Sequence, residues 1–277
     1  MQVTVIIPTY NEEKSIGKCL ESLRGQKLRD FEVIVVDDES TDKTCQQLRS
    51  FGGRANYKLR ILEQKHQGPA VARNLGASRA KGKILVFVDA DMFFEDDFLE
   101  NLVGPIDGVG VKGTNSHDEE VGNWENVWAR CWNYNQNKDK GMLRRRAKTD
   151  RVFRAVLKSE FNKVGGFDKG GYTDDYSLSA KLGYEAKVVG GKFYHNNPDS
   201  LREVFVQAKW VGKRKYKMRW MGVVIALFRV SLPIAKIVGI YKAIKYKTLA
   251  FLPFKIVYNT GVTLGIAEYY LMGKGAK

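Results

Sequence analysis

The sequence is short of the features that mark several large classes of protein. Its three cysteines, Cys19, Cys45 and Cys131, are odd in number, widely spaced and free of metal-ligand spacing. That excludes a disulfide framework and a zinc module, and leaves ordinary thiols of a reducing compartment. Neither Gly-x-Gly-x-x-Gly nor Gly-x-x-x-x-Gly-Lys follows the first apolar run, so neither a dinucleotide cofactor nor a P-loop is supported. The opening Met-Gln-Val-Thr-Val-Ile-Ile-Pro has no basic leader, apolar core or small-residue cleavage site, and the expectation is a catalytic region that stays on the cytoplasmic side. Acids almost vanish towards the end: residues 201–277 hold 15 Lys and Arg against Glu203 and Glu268. That balance of +13 is most of the chain's +15 and leaves +2 for residues 1–200. A basic tail with apolar neighbours on a near-neutral body favours a membrane surface as partner and no nucleic acid.

What is present argues for a folded enzyme. A chain of 277 residues, 44% of them hydrophobic, buries a sizeable core, enough for one domain of about 200 residues with an appendage. Residues 3–7 form an apolar run closed by Pro8, and 12–23 carry Ile16, Leu20 and Leu23 at helix spacing. A second β-rich run, 31–36, ends on Asp37-Asp38, and Ser40-Thr41-Asp42 then supply helix-capping residues for a helix reaching about Ser50. A strand over 59–62, a helix over 69–80 and a strand over 84–88 follow. Such alternation predicts an α/β fold of βαβ units around a mainly parallel sheet flanked by helices. Ligands of such sheets bind beyond the carboxyl ends of the strands, which puts Thr9-Tyr10, Asp37-Asp38 and Asp89-Ala90-Asp91 on one rim.

Two carboxylates one residue apart at the end of a hydrophobic strand point the same way on an extended chain, so Asp89 and Asp91 reach one hard cation such as Mg²⁺ or Mn²⁺. A cation there bridges a diphosphate and stabilises it as a leaving group. Asp37-Asp38 suit hydrogen bonds to a nucleobase or ribose, with an Asx-type turn as the alternative. Arg73 and Asn74, on the third helix, are placed to reach diphosphate oxygens. Further on, Gly165-Gly166-Phe167-Asp168 leads to Thr173-Asp174-Asp175 and the helical run 177–182, where acids at a helix start also serve as ordinary caps.

Taken in order, Val-Ile-Ile-Pro-Thr-Tyr-Asn-Glu, Val-Val-Asp-Asp-Glu-Ser-Thr-Asp-Lys-Thr, the 68–74 stretch, Val-Asp-Ala-Asp and Gly-Gly-Phe-Asp to Thr-Asp-Asp resemble the motif set of family 2 glycosyltransferases. That family includes dolichyl-phosphate mannose synthases and the cellulose and hyaluronan synthases. The resemblance covers about residues 3–215 and implies a GT-A fold, a nucleotide diphosphate-sugar donor and an inverting reaction. Carried over by position, it implies Pro8, Thr9, Tyr10, Glu12 and Asp38 around the nucleoside, with Asp37 beside them. It gives Arg73 the diphosphate, Asp89 the ribose and metal, and Asp91 the metal. Asp175 takes the place of the general base, with Asp174 standing where the family has glutamate, so both acids are candidates. His195 falls where several members supply a further metal ligand, a structural histidine being the alternative. Gln207 and Trp210 occupy the place of the processive synthases' Gln-x-x-Arg-Trp, but Gln207-Ala208-Lys209-Trp210 is one residue short and has lysine for arginine. The departure favours transfer of a single sugar.

The tail completes the expected plan: a catalytic domain over 1–200, a basic amphipathic interface helix over 201–219, and hydrophobic membrane-associated helices over 220–277. Residues 220–241 and 248–272 are each long enough to cross a hydrocarbon core of about 30 Å, and charges within them make crossing costly. A spanning hairpin is favoured over interfacial helices, although Lys242, Lys245 and Lys247 between the stretches run against the positive-inside tendency. Arg229 and Lys236, seven residues apart, are expected on one helix face, where they suit a lipid-linked phosphate. The resulting expectation is a membrane glycosyltransferase that transfers mannose from GDP-mannose, or a sugar from a UDP donor, to a lipid phosphate or lipid-linked saccharide. A nucleotidyltransferase shares the paired acids but not the Thr-Asp-Asp segment, and a non-catalytic basic module leaves the acid set without a purpose. Arg144-Arg145-Arg146 suit either an acceptor-gating loop or a solvated charge run.

Overall fold

The computed structural model describes residues 2–107, 110–138, 147–168, 176–214, 216 and 218–271. In chain order the elements are β1 (Val3–Thr9), α1 (Ile16–Arg24), β2 (Phe31–Asp37), α2 (Thr44–Gly52), β3 (Lys58–Glu63), α3 (Pro69–Arg79), β4 (Ile84–Phe87), β5 (Met92–Phe94), α4 (Phe98–Val103), β6 (Gly113–Ser116), β7 (Glu119–Val121), α5 (Val127–Asn135), β8 (Thr149–Asp150), β9 (Ala155–Leu157), α6 (Lys158–Lys163), α7 (Ser177–Leu182), β10 (Ala186–Val189), β11 (Phe193–His195), α8 (Leu201–Gly212), α9 (Arg219–Arg229), α10 (Leu232–Lys245) and α11 (Phe251–Leu271). They fall into two compact units: Met1–Glu120 with Arg144–His195, and Val121–Leu143 with Asn196–Lys277. The division expected at residue 200 is therefore drawn differently. The segment Val121–Leu143 belongs with the C-terminal helices because α5 packs on α11 and α8, a long-range contact with no local signature.

The first unit is built on a sheet of order β3-β2-β1-β4-β9-β6-β10-β8. Strands β1 to β4 run parallel, as the βαβ alternation requires. Beyond them β9 is antiparallel to both β4 and β6, which leaves β6 pointing the same way as β4. Both faces of the sheet are covered, so β1 is apolar on both sides: Val3, Val5 and Ile7 pack with α1 and α4, while Ile6 packs with Ala72 and Ala77 of α3 and with Phe87 and Phe161. Each fully buried side chain of this kind contributes roughly 1.5–3 kcal/mol. Pro8 lies inside β1, past the point where pairing with β4 ends at Ile6↔Phe87, so its missing N–H removes no bond to that neighbour. The first helix starts at Ile16, later than the expected 12, because Glu12 to Ser15 form a turn closed by Ser15 N–H donating to the Glu12 carbonyl. A second, small sheet of order β5-β11-β7, made of three-residue strands too short to show a period, brings His195 beside Met92.

In the second unit α11 packs against α8, α10 and α5. Its apolar core contains Cys131, Val204, Phe251 and Phe254, bordered by Trp128, Trp132 and Tyr258. Helix α8 touches α11 backbone to backbone: a Cβ on Gly265 would strike the Lys209 carbonyl, and one on Gly261 the Phe205 carbonyl. The basic stretch after it is therefore not one interface helix over 201–219; α8 ends at Gly212 and is packed on α11 through Val204, Ala208 and Gly212. The two expected membrane stretches change as well. The first breaks between Arg229 and Leu232 into α9 and α10, which meet at a bend of 50°. Arg229 and Lys236 thus stand on different helices and share no helix face. Among the described residues no single helix is long and apolar enough to cross a membrane, and that bent pair alone has the length and composition. Lys242 is buried, its ammonium donating to the Tyr134 and Asn135 carbonyls at the C-terminus of α5 at 2.6 and 3.1 Å, where a cation meets the negative end of a helix. It is a helix cap, not part of an exposed basic loop.

Candidate active site

The carboxyl ends of β1, β2 and β4 form the expected rim. At β1, Thr9 pairs with Asp37 across the ladder, and Thr9 Oγ1 and Asp37 Oδ1 are buried with no hydrogen-bond partner. Two open polar atoms side by side at a sheet rim suit a polar ligand, since burying them unpaired costs roughly 1–3 kcal/mol each. The second oxygen of Asp37 accepts the Ser40 N–H at 3.1 Å. Tyr10 is exposed and lies over the His66 ring, centroids 4.3 Å apart.

Asp38 differs from the expectation of a free nucleoside contact. Its carboxylate accepts the Gln67 and Gly68 N–H groups at 2.9 and 2.8 Å and the Gln64 amide at 2.7 Å, and pairs with His66 Nδ1 at 2.9 Å. Every acceptor direction is spent on the turn that leads into α3. Asp38 thus shapes the rim, and His66, which sequence reasoning missed, is the group it offers to solvent beside Tyr10.

Asp89 and Asp91 do not lie on one extended strand. β4 ends at Phe87 and residues 90–91 are in a turn, closed by Met92 N–H donating to the Asp89 carbonyl. The two carboxylates therefore take different partners. Asp89 receives the Arg73 guanidinium at 2.9 Å and faces Arg154 at 3.7 Å. Burial pushes its carboxyl up, but the two arginines and His195 more than offset that and hold it at about 2. Asp91 meets His195 Nε2 at 2.9 Å, and His195 Nδ1 meets Glu119 at 3.1 Å. Burial disfavours the imidazolium, yet the flanking Asp91 and Glu119 carboxylates raise the His195 pKa well above its usual range. Glu12, whose N–H donates to Thr44 Oγ1 at 2.8 Å, also feels this end of the rim. Burial, then the Asp91 and Asp89 carboxylates, push its carboxyl up to about 8.

This cluster has the donor chemistry for a divalent cation. Asp91 oxygen and His195 Nε2 stand together, and the Nδ1 contact with Glu119 orients the imidazole as outer partners of metal-bound histidines do. No group of three or more His, Cys, Asp or Glu side chains stands at metal-holding spacing among the described residues. A site of two protein ligands leaves the remaining positions for phosphate oxygens and water, the usual manner for Mg²⁺.

Arg154 and Asn74 complete the site. Arg154, just before β9, donates to the Phe87 carbonyl at 3.3 Å as well as facing Asp89, so it pins the end of β4. Asn74 does not face a diphosphate: its amide donates to the Phe167 carbonyl at 2.8 Å and its oxygen accepts the Phe167 N–H at 2.9 Å. A Cβ on Gly166, whose φ is +74°, would strike that same Asn74 oxygen, so only glycine lets the Gly-Gly-Phe-Asp segment dock on α3. Asp168 N–H then donates to Ser177 Oγ at 3.1 Å, which ties the end of this segment to the start of α7. Asp174 and Asp175, the base candidates, lie outside the described residues, as do Arg144, Arg145 and Arg146. Gln207 and Trp210 are exposed on α8 in the second unit, whereas Pro8, Thr9, Tyr10, Glu12, Asp37, Asp38, Arg73, Asp89, Asp91 and His195 all belong to the first.

A parallel-led sheet with a carboxylate and histidine rim of this kind defines a GT-A architecture. The model of the family "Glycosyl transferase family 2" matches residues 4–157, and the chain belongs to that family. It is similar to the poly(ribitol-phosphate) beta-N-acetylglucosaminyltransferase TarS of Staphylococcus aureus, 39% identical over 109 residues that make up 39% of this chain and 19% of that protein. It is also similar to the glycosyltransferase AglE of Haloferax volcanii, 39% identical over 111 residues, 39% of this chain and 36% of that one. These matches span well under half the length of either relative. Among solved structures, S. aureus TarS 1–349 in complex with UDP-GlcNAc has a TM-score of 0.59 at 18% identity, over 99% of this chain and 93% of that one. The mannosyltransferase PcManGT of Pyrobaculum calidifontis, in complex with GDP-Man and Mn²⁺, has a TM-score of 0.60 at 22% identity, over 95% and 87%. Both share the fold.

Proposed function

We propose that this chain is a nucleotide-sugar-dependent, inverting glycosyltransferase that moves one hexose to a lipid-borne acceptor at the cytoplasmic side of a membrane. The observation that carries the reading is the convergence of Asp89–Arg73 and Asp91–His195 on one sheet rim, next to the open polar atoms of Thr9 and Asp37. Thr9, Asp37 and Tyr10 receive the nucleoside on the β1–β2 side, and Arg73 meets the diphosphate. Asp91 and His195 would hold Mn²⁺ or Mg²⁺, and such an ion would neutralise charge on the departing diphosphate. Inversion requires one in-line displacement: the acceptor oxygen bonds to the anomeric carbon, the bond to the diphosphate breaks, and the acceptor's proton passes to a base. Asp175, with Asp174 beside it, is assigned that base by family position. A lipid-phosphate acceptor, largely ionised near neutral pH with a second pKa of roughly 6, needs the base less than a hydroxyl does.

The donor assigned first is GDP-mannose, with UDP-glucose and UDP-N-acetylhexosamines second; solved structures of like fold hold GDP-Man and UDP-GlcNAc. The basic, apolar second unit supports a lipid phosphate or lipid-linked saccharide as acceptor. The test is a panel of sugar nucleotides incubated with membrane lipid extract, with and without Mn²⁺, for the wild type and Asp91→Ala. Transfer of a single sugar to lipid, dependent on metal and lost in Asp91→Ala, is the expected result. Consumption of no donor, by transfer or hydrolysis, overturns it.

A further inference from the structure

Helices α9 and α10 carry a face that the described residues of their own unit leave largely open, with the Trp220 ring 5.5 Å from that of Tyr270. On α9 the large side chain turned inward is Val223, which packs with Ala208, Val262 and Ile266. Trp220 and Phe228 are 65% and 67% exposed, and Val224 between them is also open. Helix α10 divides the same way. Ala235, Gly239, Lys242 and Ala243 are buried, with Gly239 against Leu252 of α11. Ile237, Ile240 and Ile244, spaced by three and four and therefore on one stripe, turn away from them, Ile237 at 64% and Ile244 at 74% exposure. Contiguous apolar area of this extent is uncommon on a protein that meets only water.

The charges around the face decide what covers it. Arg229, Lys236 and Lys245 are exposed along the same two helices. After Glu203 the sequence holds one acid, Glu268, and both its oxygens are held by Lys209 and Lys213. A second copy meeting this face with the same face would therefore set cations against cations. Neither helix crosses alone, since 11 and 14 residues rise only about 17 and 21 Å against about 30 Å; the pair has the length, but it bends by 50° and would carry Arg229 and Lys236 near the bilayer centre, at roughly 2.5–3.5 kcal/mol each.

We propose that α9 and α10 form an in-plane anchor that sinks the Trp220–Phe228 and Ile237–Ile244 faces into the interfacial layer of an anionic bilayer. Arg229, Lys236 and Lys245 meet lipid phosphates along its edge. The inference rests on the membrane partner proposed above, and its test involves no donor. The full chain is sedimented with phosphatidylcholine vesicles with and without phosphatidylglycerol, and Phe228→Glu/Ile237→Glu and Arg229→Gln/Lys236→Gln/Lys245→Gln variants are compared after circular dichroism shows native helicity. Binding that requires phosphatidylglycerol, falls roughly 100-fold in the first variant and loses its lipid preference in the second is expected. Quenching of wild-type fluorescence by brominated lipids, taken relative to Trp220→Phe, is expected to be strongest with bromine near the headgroups. Vesicle binding unchanged in both variants overturns the inference. So does strongest quenching from the bilayer centre, which means spanning, and so does a lipid-free dimer dispersed by Phe228→Glu/Ile237→Glu in a chain that ignores vesicles. Should the double-Glu variant misfold, the charge-neutralised variant and the quenching profile still decide.

Discussion

His195 Nε2 stands 2.9 Å from Oδ2 of Asp91, 104 positions earlier in the chain, and Nδ1 of the same ring stands 3.1 Å from Glu119. One imidazole thus ties the turn after β4 to the small sheet and leaves Asp91 and His195 as adjacent donors. Replacing Glu119 by Gln weakens the hold on the ring without removing a donor. The expected result is a roughly 10–100-fold loss of Mn²⁺ affinity by calorimetric titration in the presence of a nucleoside diphosphate. Asp91→Ala is expected to abolish the metal-dependent heat.

Arg154 and Asp89 are coupled through a 3.7 Å ion pair that shares Asp89 with Arg73. Arg154→Met is expected to lower the melting temperature, and Asp89→Asn to cost less in that background than alone. A double-mutant cycle by denaturant melts should return about 0.5–3 kcal/mol of coupling; additivity would mean that Arg154 acts only through the Phe87 carbonyl.

Asn74 holds both backbone groups of Phe167. Asn74→Ala leaves them unpaired and is expected to cost about 1–3 kcal/mol, read by urea melts. Asn74→Asp, which keeps only the acceptor, should fall between. Because the clamp seats Phe167 against α3, the helix that carries Arg73, kcat is expected to fall in both variants. Gly166→Ala should behave like Asn74→Ala.

Glu268 joins α11 to Lys209 and Lys213 of the α8 region at 2.5 and 2.8 Å, and hydrogen bonds from these ammoniums lower its carboxyl to about 2 from the usual 4.5. A depressed carboxylate pKa stabilises the fold above the unfolded value and loses that effect as pH falls from about 4.5 through about 2. Glu268→Gln is therefore expected to melt below the wild type at pH 7 and to converge with it near pH 2. A gap that persists at pH 2 would show that the glutamate acts by packing.

The left half of the sheet was legible because its strands are buried on both faces and end on paired acids. Asp37-Asp38 and Asp89-x-Asp91 stand out as polar breaks in apolar runs, and the structure puts them at strand ends as read. What each acid touches was not legible. Asp38 and Asn74 make their bonds to backbone groups of loops 64–68 and 165–168, and a sequence carries no mark of which backbone a side chain will meet. Glu119 and Arg154 lie near strands of three residues, where no period singles them out; the acid run Asp118-Glu119-Glu120 was the one available sign. In the tail, composition identified an apolar, basic region, but the break at Arg229–Leu232 and the burial of Lys242 follow from tertiary packing, which hydropathy does not see.

The adjacency of Arg73 and Asn74 has a consequence for which lengths of chain this site tolerates. One residue of helix is about 100° of rotation, so the turn from Gly68 aims Arg73 at Asp89 and, one step on, Asn74 at Phe167. A single inserted or deleted residue between Gly68 and Asn74 would swing both side chains off their targets together. The stretch from Gly68 to Asn74 behaves as a gauge, fixed at one end by the Asp38 carboxylate and at the other by Phe167.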